Sequence, residues 1–133
     1  MNLEILGNKE QTAPLLGYIN VHRRGRIRLS RALVLGLSLK TGQRVILAND
    51  RDSKKDWYIT FSGDEGEGYK LNSLSKQVST ILVAEYNTDV VRTLLTAIKA
   101  DISATLLIAM NHPIQNNGKN WYRILTSNPK RVK

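Results

Sequence analysis

The chain contains no cysteine, which excludes disulfides, thiolate metal sites and cysteine nucleophiles. It has three prolines and no long polar tract, too little to suggest wholesale disorder. Histidine occurs only at His22 and His112, neither at metal-ligand spacing with another histidine or a carboxylate pair. Its longest apolar runs, 32–39 and 81–84, are too short to span a bilayer. Residues 1–10 carry Glu4 and Glu10 and lack a basic start before an apolar stretch, so they do not read as a secretory signal. A cytoplasmic protein without membrane association is the expectation.

Catalytic patterns are also scarce. Asp50, Asp52 and Asp56 share one stretch, but Lys54 and Lys55 interrupt them, and the turn glycine and closing glutamate of a calcium loop are missing. Gly63, Gly66 and Gly68 are interspersed with acids that would repel phosphate, and no P-loop lysine follows. No nucleophile elbow is present. The reading is of a protein that is not an enzyme and takes no cofactor or metal.

Acidic residues are missing from two long stretches, and this absence is the most informative one. Between Gln11 and Asn49 there is none, against Arg23, Arg24, Arg26, Arg28, Arg31, Lys40 and Arg44. From Ile102 to the end there is again none, against Lys119, Arg123, Lys130, Arg131 and Lys133. The net charge of +9 is therefore segregated, as in proteins that bind polyanions. If 24–29 is a strand, Arg24, Arg26 and Arg28 share one face, about 6–7 Å apart, with Ile27 and Leu29 on the other. That spacing is comparable with successive phosphates on a nucleic-acid strand. The candidate nucleic-acid-binding residues are Arg23, Arg24, Arg26, Arg28, Arg31, Arg44, Lys54, Lys55 and Lys119.

With 133 residues, the chain fits one compact domain. An arm or edge strand over 1–16 precedes strands at 17–21 and 26–29, with a turn at 23–25. Ser30 stands as the N-cap of a helix over 31–37. Strands follow at 44–48 and 57–61, then an acidic, glycine-rich loop at 62–68. The order then recurs: strands at 69–71 and 79–85, and a helix capped by Asn87 or Thr88 with the stripe Val91, Leu94, Leu95 and Ile98. Strands at 104–110 and 121–125 flank the loop 111–120. Val45-Ile46-Leu47-Ala48-Asn49 before Trp57-Tyr58-Ile59 matches Leu106-Leu107-Ile108-Ala109-Met110-Asn111 before Trp121-Tyr122-Arg123-Ile124. The expected fold is α+β and strand-rich, with degenerate strand-strand-helix-strand-strand repeats at 17–61 and 69–126 sharing one core around a pseudo-twofold axis. Equivalent positions place Trp57 and Trp121 in that core. The competing use of Trp57-Tyr58 and Trp121-Tyr122 is base stacking beside the lysines.

Gly25-Arg26-Ile27, the helix after Ser30, and Leu37-Ser38-Leu39-Lys40-Thr41-Gly42-Gln43-Arg44-Val45 resemble the AbrB/SpoVT family of swapped-hairpin DNA-binding domains. The family pattern has Gly at the place of Ser38, Asp at Gln43, Pro at Ser30 and often Arg at Val34. The resemblance covers about 45 residues, 17–61. It implies a DNA-binding protein, regulatory or nucleoid-related, and a barrel completed by dimerisation or, as in MraZ-like members, by a second unit in the same chain. A homodimer stays open. The basic tail 128–133 differs from the acidic toxin-binding tail of antitoxins with this fold. Read from Val45, the order strand-strand-strand-strand-helix instead resembles the unit of Whirly and transcriptional-coactivator single-stranded DNA binders. The expected partner is nucleic acid, with DNA favoured. The alternatives are a single-stranded DNA or RNA binder and a protein-interaction scaffold.

Overall fold

A computed structural model describes residues 15–50, 52, 56–77, 80–110 and 113–130. Most of the expected arm at 1–16, together with His112 and the end of the basic tail, lies outside these residues. The chain begins with β1 (Leu15–His22) and β2 (Arg26–Leu29), followed by α1 (Arg31–Gly36), β3 (Arg44–Asn49) and β4 (Trp57–Ser62). It continues through β5 (Tyr69–Lys70), β6 (Asn72–Ser73), β7 (Leu82–Glu85) and α2 (Thr88–Ala97). β8 (Ser103–Ala109), β9 (Ile114–Asn116) and β10 (Lys119–Lys130) complete it.

The architecture is strand-rich with two short helices among the described residues. Its sheet order is β5-β3-β4-β10-β8-β1-β2-β7-β6, with β9 added to β10. All the described pairings are antiparallel. β1 lies inside the sheet, between β2 and β8, rather than at an edge. The two ends of the order, β5 and β6, are separated in the chain by Leu71 alone. One short segment therefore pairs with β3 through its first half and with β7 through its second, and nearly closes the sheet into a barrel. Leu71 is fully buried at that seam, and its backbone bonds Gln43 and Gly42.

Alternation builds the interior. Ile27 and Leu29 in β2, Val45 and Leu47 in β3, and Leu106 and Ile108 in β8 point inward, their neighbours outward. In β1 the alternation slips, because Leu15 pairs with Ala109 but Gly17 with Ile108; the bulge puts both Leu16 and Ile19 inside. Ser30 caps α1 by accepting from the Leu33 N–H and also accepts from the Tyr18 N–H, tying the helix start to β1. Gly17 permits that approach: a Cβ there would lie 2.6 Å from the Ser30 hydroxyl and 2.8 Å from the Leu33 nitrogen. Asn87 caps α2 through the Asp89 and Val90 N–H groups. One continuous apolar cluster draws on both halves of the chain.

The two helices end alike. Ser38 and Lys99 both take left-handed φ, while Leu39 N–H donates to the Val34 carbonyl and Ala100 N–H to that of Leu95. Leu39 precedes Val45 by the same interval as Ala100 precedes Leu106, and both valine and leucine enter the core.

Pairing corrects the expected match of the tryptophans. Leu47 faces Ile59, and Ile108 faces Ile124. Counting back two residues from each isoleucine sets Trp57 beside Tyr122, not Trp121. A one-residue offset reverses the face in a strand. Trp57 is accordingly buried at 3% exposure, whereas Trp121 sits on the outside of β10, half-buried. The loop expected at 111–120 contains the β9–β10 hairpin, turned by Asn117 and Gly118, both with positive φ. Asn-Gly between strands is the strongest short-range signal for such a turn.

Candidate nucleic-acid interface

The turn between β1 and β2 is pinned by backbone bonds before any side chain is considered. Arg23 N–H donates to the Ile102 carbonyl, Gly25 N–H to that of His22, and Tyr86 N–H to that of Gly25. Arg24 N–H donates to His22 Nδ1 at 3.1 Å. Gly25 has φ 103°, and a Cβ there would lie 2.6 Å from the Tyr86 carbonyl oxygen. The turn can therefore lie against the strand leading into α2 only with glycine at this position.

On this support Arg23, Arg24, Arg26 and Arg28 are exposed, while Ile27 and Leu29 beneath them have no exposure. The expected three-arginine face is corrected in two respects. Arg24 belongs to the turn, since β2 starts at Arg26. Arg26 faces Glu85 of β7, and its Nε donates to the carboxylate at 2.8 Å. Arg23 lies 3.9 Å from Asp101. Both pairs are well exposed, where ion pairs contribute about 0–1 kcal/mol. An incoming phosphate can therefore exchange with either acid at small cost. Arg31 donates to the Thr80 hydroxyl at 3.1 Å. Among the described residues, the guanidinium groups of Arg24 and Arg28 make no hydrogen bond or ion pair.

Two open clefts adjoin these side chains. Asn20, His22, Arg26, Arg28 and Ser103 border one of about 260 Å³. Arg23, Arg24, Arg92, Thr96 and Asp101 border another of about 540 Å³ between the turn and α2. Arg92 was not identified from the sequence. Its Nε donates to the Arg23 carbonyl at 3.3 Å, which directs the guanidinium toward the second cleft. The available signal was its place on the polar side of the Val91, Leu94, Leu95 and Ile98 stripe, but nothing local places α2 beside the turn. The second cleft is the more polar, with three guanidinium groups and the Thr96 hydroxyl beside the Asp101 carboxylate, donors suited to anionic oxygens.

Other expected site residues lie elsewhere. Arg44 is half-buried on β3 and donates to the Gly68 carbonyl at 3.5 Å; its Nε is buried without a hydrogen bond among the described residues. Lys119 pairs with Glu67 at 3.0 Å. The Lys119 ammonium and the Ser62 hydroxyl together hold the Glu67 carboxyl below the ordinary carboxylate range. Both bases therefore serve the 62–68 loop, and β8 and β1 stand between β10, which begins at Lys119, and β2. One of the acids that looked merely repulsive in sequence, Glu67, is the partner of Lys119. Lys54 and Lys55 lie outside the described residues. No cluster of histidine, aspartate and glutamate able to hold a metal occurs among the described residues, and no helix there is long and apolar enough to cross a membrane.

The aromatics divide between inside and outside. Trp57 and Tyr122 pack on or toward the core, while Tyr58 and Trp121 face outward. Tyr58 and Trp121 border a cavity of about 290 Å³ with Ala48, Asn49 and Ile114. Tyr86 is buried; its hydroxyl accepts from the Leu47 N–H at 2.7 Å and its ring lies 4.2 Å from that of Tyr69. Burial raises the Tyr86 phenol above its usual range. The chain matches no protein-family model, no curated protein and no solved structure.

Proposed function

We propose that this chain is a DNA-binding protein of regulatory or nucleoid-related type, holding the phosphate backbone with the arginines of the β1–β2 turn and β2. The observation that carries the reading is the pair Arg24 and Arg28, exposed and without side-chain partners among the described residues, on a turn and strand anchored by buried Ile27 and Leu29. Arg23, Arg26, Arg31 and Arg92 extend the same basic surface. Guanidinium groups without acidic partners on one turn and strand repel one another, and an anionic strand relieves that repulsion. Backbone contacts of this kind give affinity with little dependence on sequence.

The swapped-hairpin frame is part of the proposal. Its support is that exchanging β1 with β5, β2 with β7, β3 with β8 and β4 with β10 reproduces the circular strand order, with β6 taken as the continuation of β5. The common helix endings and the self-consistent pairs Trp57–Ile124 and Tyr122–Ile59 support the same duplication. In the competing Whirly-like frame β3, β4, β5 and β7 form one unit, yet β4 pairs with β10 and β7 with β2.

Titrating labelled single- and double-stranded oligonucleotides at several salt concentrations tests the reading. Replacing Arg24 and Arg28 together by Ala is expected to lower duplex affinity several tens of fold near 0.1 M salt. The log–log salt slope should flatten by about 2, one counterion per lost contact. Parental affinity and slope in the double variant would refute the proposal.

A further inference from the structure

We infer that Tyr58 and Trp121 frame a binding site for one unpaired nucleobase, on a part of the barrel distinct from the arginine turn. The inference rests on the nucleic-acid reading for the source of the base, but its geometry is independent. In β10, Trp121 and Arg123 point outward two residues apart, and Arg123 pairs across the sheet with Tyr58. Two rings beside an exposed guanidinium form the aromatic–cation pattern that grips unpaired strands.

The platform is preorganised. β9 folds over β10 through the Asn117–Gly118 turn, setting Ile114 opposite Trp121. The indole N–H donates to the Asn116 carbonyl at 3.3 Å, which fixes the ring against the hairpin. Ala48, paired with Tyr58, keeps the floor shallow. The resulting cavity of about 290 Å³ stands at the low end of the range for small-molecule pockets, suited to a single heterocycle.

Polar groups at the rim select a base over a phosphate. Asn49 and Asn116 offer both donors and acceptors to a base edge. The Asp50 carboxylate, which accepts from the Asp52 N–H, and Asp56, close to Arg123 at 3.4 Å, disfavour a phosphate in the pocket itself. The phosphates of a bound strand belong instead on the solvent side of Arg123, whose side chain is 57% exposed. The base is supplied either by a single strand or by a free nucleoside.

Intrinsic fluorescence of the full chain separates these sources, because Trp57 is buried and Trp121 alone can meet a ligand. A single-stranded oligo(dA) is expected to quench the emission, and a blunt duplex to leave it unchanged. Quenching by adenosine as well identifies a pocket that also accepts the free heterocycle; quenching by oligo(dA) alone identifies a base presented by a strand. Trp121→Ala should weaken oligo(dA) binding about tenfold to a hundredfold, and Trp121→Phe should restore most of it with the fold intact by circular dichroism. The pocket is refuted if neither probe changes the emission, or if Trp121→Ala binds oligo(dA) like the parent. Duplex binding in a chain whose Trp121 responds to neither oligo(dA) nor adenosine removes the pocket and leaves the arginine grip. Adenosine quenching in a chain that binds no oligonucleotide removes the grip and leaves the pocket.

Discussion

At the scale of single residues, partners decide which charges are free for function. Nine basic residues drawn from composition separate into at least two groups once their neighbours are known. Arg44 and Lys119 are spent on Gly68 and Glu67, whereas Arg24 and Arg28 keep their guanidinium groups open to solvent. Burial has a comparable effect on Tyr86. Its hydroxyl satisfies the Leu47 N–H on β3, and loss of that acceptor leaves a buried donor, costing about 1–3 kcal/mol. Tyr86→Phe is therefore expected to lower the free energy of unfolding by that amount, read as a lower urea midpoint at unchanged slope. The pH dependence follows from the raised folded-state phenol. Above about pH 10 the unfolded chain releases the Tyr86 proton while the folded chain retains it, so stability falls as pH rises through that range. Stability measured by urea denaturation between pH 9 and 11 should show this fall in the parent and a smaller one in Tyr86→Phe. Equal slopes would contradict the role assigned to the buried phenol.

Elements place these residues. The β1–β2 turn is rigid because three backbone hydrogen bonds and a positive-φ glycine hold it against Ile102 and Tyr86. Gly25→Ala would combine an unfavourable φ with a 2.6 Å approach to a carbonyl oxygen, and is expected to destabilise by more than about 1 kcal/mol. Because the same turn carries Arg23 and Arg24, affinity for duplex should fall with it although no charge is removed. Thermal melting and oligonucleotide titration of this variant check both effects; a stable variant with parental affinity would show that the turn is not a fixed support. Much of this was legible locally. Ser30 reads as a cap because its hydroxyl serves its own helix, and Ile27 and Leu29 read as anchors because alternation needs only neighbouring residues. The β9–β10 hairpin was legible too, in Asn117-Gly118, although the surrounding polar residues resemble a loop.

For the whole molecule, pairings between the two halves of the chain join the strand pairs formed within each half. β1 with β8, β2 with β7, β3 with β5 and β4 with β10 all join residues before the 62–68 loop to residues after it. Cleaving at Gly66 should leave fragments that are separately unstructured and regain a cooperative transition when mixed, since each lacks the strands that cover its apolar face. Circular dichroism of the fragments alone and combined measures this. A first fragment folding as a stable monomer would overturn the shared core. One folding only as a homodimer would place a second copy in the position of the missing half.

The sequence by itself determined most of the longer elements and the inward faces of β2, β3, β8 and both helices, because periodicity, caps and turns depend on residues a few positions apart. It also determined where positive charge is concentrated. Only the tertiary structure decided which charges are neutralised, as Glu85, Asp101 and Glu67 reach their arginine or lysine partners from distant strands and loops. It likewise decided which tryptophan is core. Sequence similarity aligned Trp57 with Trp121, but interstrand hydrogen bonding sets the register, and a shift of one residue turns the second ring outward. Recruitment of Arg92 to the turn follows the same rule, because that contact exists only after β2 and β7 have paired.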